Sequence, residues 1–220
     1  MQTAPRVSCL TQLDITKSHH ILSFVLLEYV LLQIDFVVEM MLSIFTMRFG
    51  MLIFFFGFMG VSYWSQNMAF KASDRGTQYL GLSIYIIAEA FFFVPILMIA
   101  AINYPGAIQQ AAVTTSGLFA GLTAVVFTTK KDFSFLRSIL TIAFPVMLVL
   151  MLVAFFIPGS GMSLLIAGGM VILVSGSILY QTSQIMKTHH TEQHVAAALG
   201  LFASFMTLFF YILRLFMNRN

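Results

Sequence analysis

Residues 79–102 read YLGLSIYIIAEAFFFVPILMIAAI, 24 residues in which Glu89 is the only charge. A helix rising about 1.5 Å per residue needs about 20 apolar residues to cross a hydrocarbon core about 30 Å thick, so this stretch is long enough to span a bilayer. The rest of the chain shares its character. Of 220 residues, 60% are hydrophobic and 9% charged, with 24 Phe and 15 Met; a soluble domain carries roughly 25% charged residues. Mean hydropathy is +0.95. The 11 basic and 8 acidic residues cannot cover a water-exposed globule of this size, so most of the surface must meet lipid. Cys9 is the one cysteine, which excludes an intrachain disulfide scaffold. No repeat or low-complexity tract is visible.

Working outward, further apolar runs cover Gly50 to Ser65, Gly106 to Thr129, Phe135 to Ile157, Met162 to Met186 and Val195 to Met217. An earlier run from about Ile21 carries Glu28, Asp35 and Glu39 and is counted as a further span. Asn103-Tyr104-Pro105-Gly106 and Pro158-Gly159-Ser160-Gly161 are turn chemistry, and Lys130-Lys131-Asp132 is a charged stop. These readings predict an all-α, seven-transmembrane-helix bundle. Residues 1–20 form a polar tail, 21–217 the membrane domain and 218–220 a short end.

Orientation follows from the loop cations. With the N-terminus cytoplasmic, Arg6, Lys17, Lys71, Arg75, Lys130, Lys131, Arg137 and Lys187 fall inside, and Arg48, Arg214 and Arg219 outside. The C-terminus is then external. Nothing in the charge pattern points to nucleic acid.

Absences exclude several chemistries. Every lysine lies in a loop or the tail, so no retinal Schiff base is available. His19, His20, His189, His190 and His194 lie at span ends, which leaves no buried haem ligand and no histidine base beside an intramembrane serine. No HExxH, phosphate loop or Cys/His metal spacing occurs. The histidines read as solvated interfacial residues. No catalytic residue, metal site or cofactor is expected, and the chain does not read as an enzyme.

Charged residues at bilayer depth are costly, about 2.5 to 3.5 kcal/mol on insertion scales, and usually face a partner or a cavity. Glu89, mid-span, and Glu28 are such residues. The alternative for Glu89 is a protonated acid hydrogen-bonded to a neighbouring helix. Glu28, Asp35 and Glu39 would share one helix face if the first span ran through all three; if the helix ends near Ile34, Asp35 and Glu39 belong to an external loop. The loop is favoured. Ser204, Thr207, Tyr211 and Arg214 define one polar face of the last span, and Ser177, Gln181 and Gln184 one of the preceding span. These stripes are placed to face each other. Helix packing is the alternative role for their uncharged members, with Gly168, Gly169 and Gly176 permitting close approach.

The stretches IYIIAEAFFFVPILMIAAINYPGAIQQAA, GLTAVVFTTKKDFSFLR, GSILYQTSQIM and HVAAALGLFASFMTLFFYILRLF, in that order, resemble the bacterial branch of the Bax inhibitor family. The resemblance covers about residue 76 to 217 well and the first two spans loosely. It implies six helices around a polar last helix, a bacterial plasma-membrane location and a cytoplasmic N-terminus. Family members are described as pH-sensitive calcium leak channels and, in eukaryotes, as suppressors of cell death; some bacterial members associate with a membrane-bound protease. Their proton gate is attributed to two aspartates, whose places here are Gln181 in LYQT and Ser204 in LFASF. Neither titrates near neutrality, so a gate of that kind is expected to be absent. Glu89, in AEA, matches a glutamate frequent in the family.

Two functions follow as expectations. One is a calcium leak channel whose intramembrane charge comes from Glu89 helped by Glu28. The other is a non-conducting interaction protein that modulates a protease or a stress or cell-death pathway. A secondary transporter ranks last, because Pro95 and Pro145 could break helices but no inverted repeat is visible.

Overall fold

The seven apolar runs fold into eight helices in a computed structural model that describes residues 24–47, 49–71, 74–129, 131–156, 162–187 and 194–219. They are α1 (24–32), α2 (Asp35–Thr46), α3 (Gly50–Lys71), α4 (Arg75–Asn103), α5 (Ala107–Thr129), α6 (Leu136–Phe156), α7 (Met162–Lys187) and α8 (His194–Arg219). No strand occurs among the described residues. Five of these helices, α4 to α8, are long and apolar enough to cross a membrane.

The two remaining runs fall short for different reasons. The first is interrupted at Gln33-Ile34, where the Gln33 and Ile34 amides turn back onto Val30 and Leu31 (3.1 and 3.2 Å) and Ile34 adopts an extended backbone. Asp35 then opens α2, where a carboxylate suits the positive end of the helix dipole. Asp35 and Glu39 are therefore helical, not part of a loop, although both are exposed. The break resets the helical register, so the two do not extend the Glu28 face. In α3, Ser62-Tyr63-Trp64-Ser65-Gln66-Asn67 dilutes the apolar segment, and the exposed Tyr63 and Trp64 are residues that favour the membrane interface.

Turn chemistry sets several boundaries. Asp74 caps α4, its Oδ2 accepting from the Thr77 amide at 3.1 Å and the Thr77 hydroxyl at 3.3 Å. Those bonds to the ionised form hold the exposed Asp74 carboxyl below the usual range. Between α4 and α5 the Ala107 amide donates to Tyr104 at 3.1 Å across Pro105-Gly106, with Gly106 at φ +81°. That is a type II turn, in which only glycine adopts the third position without strain. Pro95 and Pro145 do not end their helices: α4 and α6 run through them, as membrane helices tolerate when neighbouring groups satisfy the freed carbonyl.

The chain divides into two compact units, Met1–Ile102 with His190–Phe202, and Asn103–His189 with Ala203–Asn220. In the first, Phe93, Val94 and Ala90 of α4 are fully buried, and Phe24 of α1 lies edge-on to Phe93 at 5.7 Å and to Phe202 of α8 at 6.0 Å. Helices α3 and α4 meet at backbone distance: a Cβ on Gly81 would lie 2.7 Å from the Ser65 carbonyl oxygen and 3.0 Å from the Ala69 nitrogen. In the second unit, α7 packs on both α5 and α6. There the glycines singled out from the sequence do less. Gly168 has nothing within 4 Å of where a Cβ would stand, Gly176 has ordinary contacts, and Gly169 faces only the flexible end of Met147.

Candidate intramembrane polar sites

Glu89 sits at the middle of α4, on the face that also carries Tyr85 one turn before it and Phe93 one turn after. It is 3% exposed. The Tyr85 hydroxyl donates to its carboxylate, and Oε2 has no partner among the described residues. Tyr85 is itself buried and packs edge-on to Phe202 at 6.2 Å. Glu28, one turn beyond Phe24 on α1, is 5% exposed, and neither of its oxygens has a partner among the described residues. The Phe24–Phe93 contact thus joins two helices that each carry a buried acid one turn from the contacting ring. The sequence singled out both acids, because charge is conspicuous in an apolar run. It did not reveal Tyr85, since tyrosine is ordinary in such a run; the four-residue spacing to Glu89 is the signal that was available.

The second unit holds a neutral network. The Gln181 amide nitrogen donates to the Ser177 hydroxyl at 2.8 Å and to the Ser204 hydroxyl of α8 at 2.7 Å. Both amide hydrogens are thereby used, and no member of the set carries charge. The two polar stripes meet at this contact. Gln184 turns away and donates to Ser134 in the α5–α6 turn at 2.9 Å. Thr207 returns its hydroxyl to the Ala203 carbonyl of its own helix at 2.8 Å, Tyr211 is buried against Phe210 with ring centroids 5.1 Å apart, and Arg214 is exposed. The four residues share a face of α8 as the spacing requires, but different neighbours divide it.

Further buried hydroxyls escaped sequence reasoning, among them those of Thr115 and Thr182. Thr115 and Thr182 are 0% and 3% exposed with no partner among the described residues. Thr115 continues the buried register Ala107, Ala111 on α5, and that four-residue repeat was the only hint of it.

At the end of this unit the α5–α6 turn is stitched onto α7. The Phe133 amide donates to the Ser183 hydroxyl at 3.3 Å, Ser183 donates to the Lys131 carbonyl at 3.5 Å, and Lys187 pairs with Asp132, the one ion pair among the described residues. Lys187, with the Ser134 side chain and amide, holds the Asp132 carboxyl down at about 2. Its folded-state value lies below the unfolded one of 3.8, so the stitch favours folding fully above that value and is lost as pH falls through about 2. An NMR titration of the Asp132 carboxyl is expected to show this low midpoint, and Lys187→Ala to return it toward an ordinary carboxylate. An unchanged midpoint in the variant would remove Lys187 as the cause.

Of the histidines, His19, His20, His189 and His190 lie outside the described residues, as do Cys9, the whole N-terminal tail and the Pro158–Gly161 turn. Among the described residues no three His, Cys, Asp or Glu side chains gather as metal ligands.

Apolar spanning helices with isolated carboxyls and a neutral interhelical network define a polytopic α-helical membrane protein. A family model described as "Inhibitor of apoptosis-promoting Bax1" matches residues 18–220. An uncharacterized protein of Pseudomonas aeruginosa is 33% identical over 171 residues, 76% of this chain and 73% of that protein. An uncharacterized membrane protein of Vibrio cholerae is 32% identical over 54% of this chain and 53% of its own length. Bax inhibitor 1 of Schizosaccharomyces pombe is 31% identical over 49% of this chain and 41% of its own length. The chain belongs to the Bax inhibitor family.

Proposed function

We propose that this protein is a calcium leak channel of the bacterial plasma membrane, with its N-terminus cytoplasmic and its C-terminus outside, in which Glu89, supported by Glu28, supplies the negative charge on the ion path. The observation that carries this reading is the pair of buried carboxyls in the first unit, three of whose four oxygens have no protein partner among the described residues. Insertion of unpaired acids is costly, and such residues mark ion or proton pathways. The protein catalyses no reaction and needs no resident cofactor; calcium is its cargo.

The neutral Gln181–Ser204 contact, at 2.7 Å, supports the further reading that this chain lacks the family's proton gate. Two carboxylates in contact share a proton because both cannot stay ionised together, whereas an amide and a hydroxyl have none to share near neutrality. The same substitution favours a second reading, a non-conducting protein that modulates a membrane protease or a stress pathway. Liposomes loaded with a calcium dye separate the two. The wild-type chain is expected to admit calcium faster than empty liposomes, and Glu89→Gln to slow entry severalfold. Equal rates in all three would exclude conduction, and a stoichiometric partner recovered from native membranes would then support the second reading.

A further inference from the structure

Glu89 is enclosed by more than its own helix. On α4, Tyr85, Glu89 and Phe93 follow one another at four-residue spacing, so their side chains lie within about 80° and the carboxyl stands between the two rings. Phe93 meets Phe24 of α1 edge-on with centroids 5.7 Å apart, Phe24 meets Phe202 of α8 at 6.0 Å, and Phe202 meets Tyr85 at 6.2 Å. These contacts close a circuit. It leaves α4 at Phe93, crosses α1 and α8, and returns at Tyr85, one turn on the other side of Glu89. All four rings are buried.

Edge-on rings at these separations are in contact, so a hydrated ion does not pass between them. Calcium takes about six to eight oxygen ligands, whereas the Glu89 carboxyl has the Tyr85 hydroxyl on one side and carbon on the circuit around it. Its Oε2 is buried without a partner among the described residues. The arrangement is a carboxyl with spare acceptor capacity behind a wall of rings.

One ring is placed to open that wall by itself. Tyr85 and Phe93 belong to the helix that carries the acid, and Phe24 shares α1 with Glu28. Phe202 comes from α8 and bridges Tyr85 and Phe24, so a change of its χ1 rotamer breaks both contacts and leaves α1 and α4 in place. We propose that Phe202 is the gate of the Glu89 site: its ring closes the site in this conformation, and a cation reaches the carboxyl after that ring turns aside. This rests on the reading of Glu89 as the charge on a calcium path.

The test measures access and conduction separately. The purified full chain in detergent is treated with dicyclohexylcarbodiimide, which adds to a carboxyl, and the Glu89 adduct is counted by mass spectrometry of the peptide that carries it. An edge-on ring contact counts for about 2- to 12-fold in an equilibrium, and Phe202 makes two. Phe202→Ala is therefore expected to speed labelling of Glu89 about 10-fold, and Phe202→Leu, which keeps an apolar side chain and removes the ring, about 3-fold. Phe205→Ala removes an equal ring from the same helix, one that meets Phe119 at 5.4 Å outside the circuit, and should leave labelling unchanged. In liposomes loaded with a calcium dye, entry rates should follow the same order. Labelling that does not rise in the Phe202 variants, or that rises as much in Phe205→Ala, would overturn the gate, as would a wild-type chain that admits calcium as fast as Phe202→Ala. Labelling that follows the Phe202 ring in a protein none of whose variants admits calcium would support the gate over the carboxyl and remove the conduction reading instead.

Discussion

Placing aspartate at both Gln181 and Ser204 is expected to add to this protein a carboxyl that titrates in the neutral range. The side chains that meet there are 2.7 Å apart, so two carboxyls put in their place would be held within about 4 Å. At an effective dielectric constant of about 20, two unit charges about 4 Å apart repel by about 4 kcal/mol. That equals about 3 pH units on the second ionisation, which carries an aspartate from about 4 to about 7. A difference infrared spectrum between the double variant and the natural chain should therefore show a carboxyl band disappearing between about pH 6 and 8. Neither Gln181→Asp nor Ser204→Asp alone has a partner acid, so neither should reproduce it. If the protein conducts, calcium entry into liposomes should acquire the same midpoint. A double variant whose spectrum stays flat from pH 6 to 8 would show that the two positions do not couple, and would remove their correspondence to the family's acid pair.

Gly81→Val is expected to destabilise the first unit strongly. The new Cβ would meet the Ser65 carbonyl oxygen at 2.7 Å and the Ala69 nitrogen at 3.0 Å. Both belong to the backbone of α3 and cannot rotate aside as a side-chain end would. Overpacking of this kind costs about 1 to 3 kcal/mol, and separation of α3 from α4 also loosens the helix that carries Tyr85 and Glu89. Gly168→Ala is the counterpart. No atom lies within 4 Å of its Cβ position, and alanine exceeds glycine in helix propensity by about 0.5 to 1 kcal/mol. Unfolding in mixed detergent micelles should thus move in opposite directions for the two variants. Equal behaviour would show that α3 and α4 do not approach closely at Gly81.

The contrast between those glycines illustrates what a sequence pattern conveys. Gly168, Gly169 and Gly176 drew notice because small residues cluster in α7, and clustering is visible along the chain. Gly81 stands alone in its run. Its importance comes from Ser65 and Ala69, more than ten residues earlier, and no periodicity within α4 reports on the neighbouring helix. The first apolar run was similarly ambiguous: composition identified a helix with three acids, and only the extended backbone at Ile34 divided it, leaving Glu28 buried and Asp35 and Glu39 exposed.

The acids of the candidate site were legible for an energetic reason. A charge within an apolar run is expensive wherever the helix sits, so Glu28 and Glu89 could be named before any neighbour was known. Their aromatic surroundings could not, because Phe24, Phe93 and Phe202 are three among 24 phenylalanines and differ from the others only in what they touch. The polar stripes of α7 and α8 were predicted as faces. Which rungs met was a matter of how the helices pack: Gln181 reached Ser204, while Gln184 reached the α5–α6 turn.

By itself, then, the sequence determined the solvent, the helical class, the apolar runs and the two acids that lipid does not readily accept. All of these follow from free energies summed along the chain or from the geometry of a single helix. Tertiary structure decided which carboxyl oxygens lack partners among the described residues, which amide joins α7 to α8, where two backbones touch, and which lysine pairs with Asp132. Each of these depends on atoms far apart in sequence being brought within a few ångströms, and hydrogen bonding, ion pairing and close packing act only at that range.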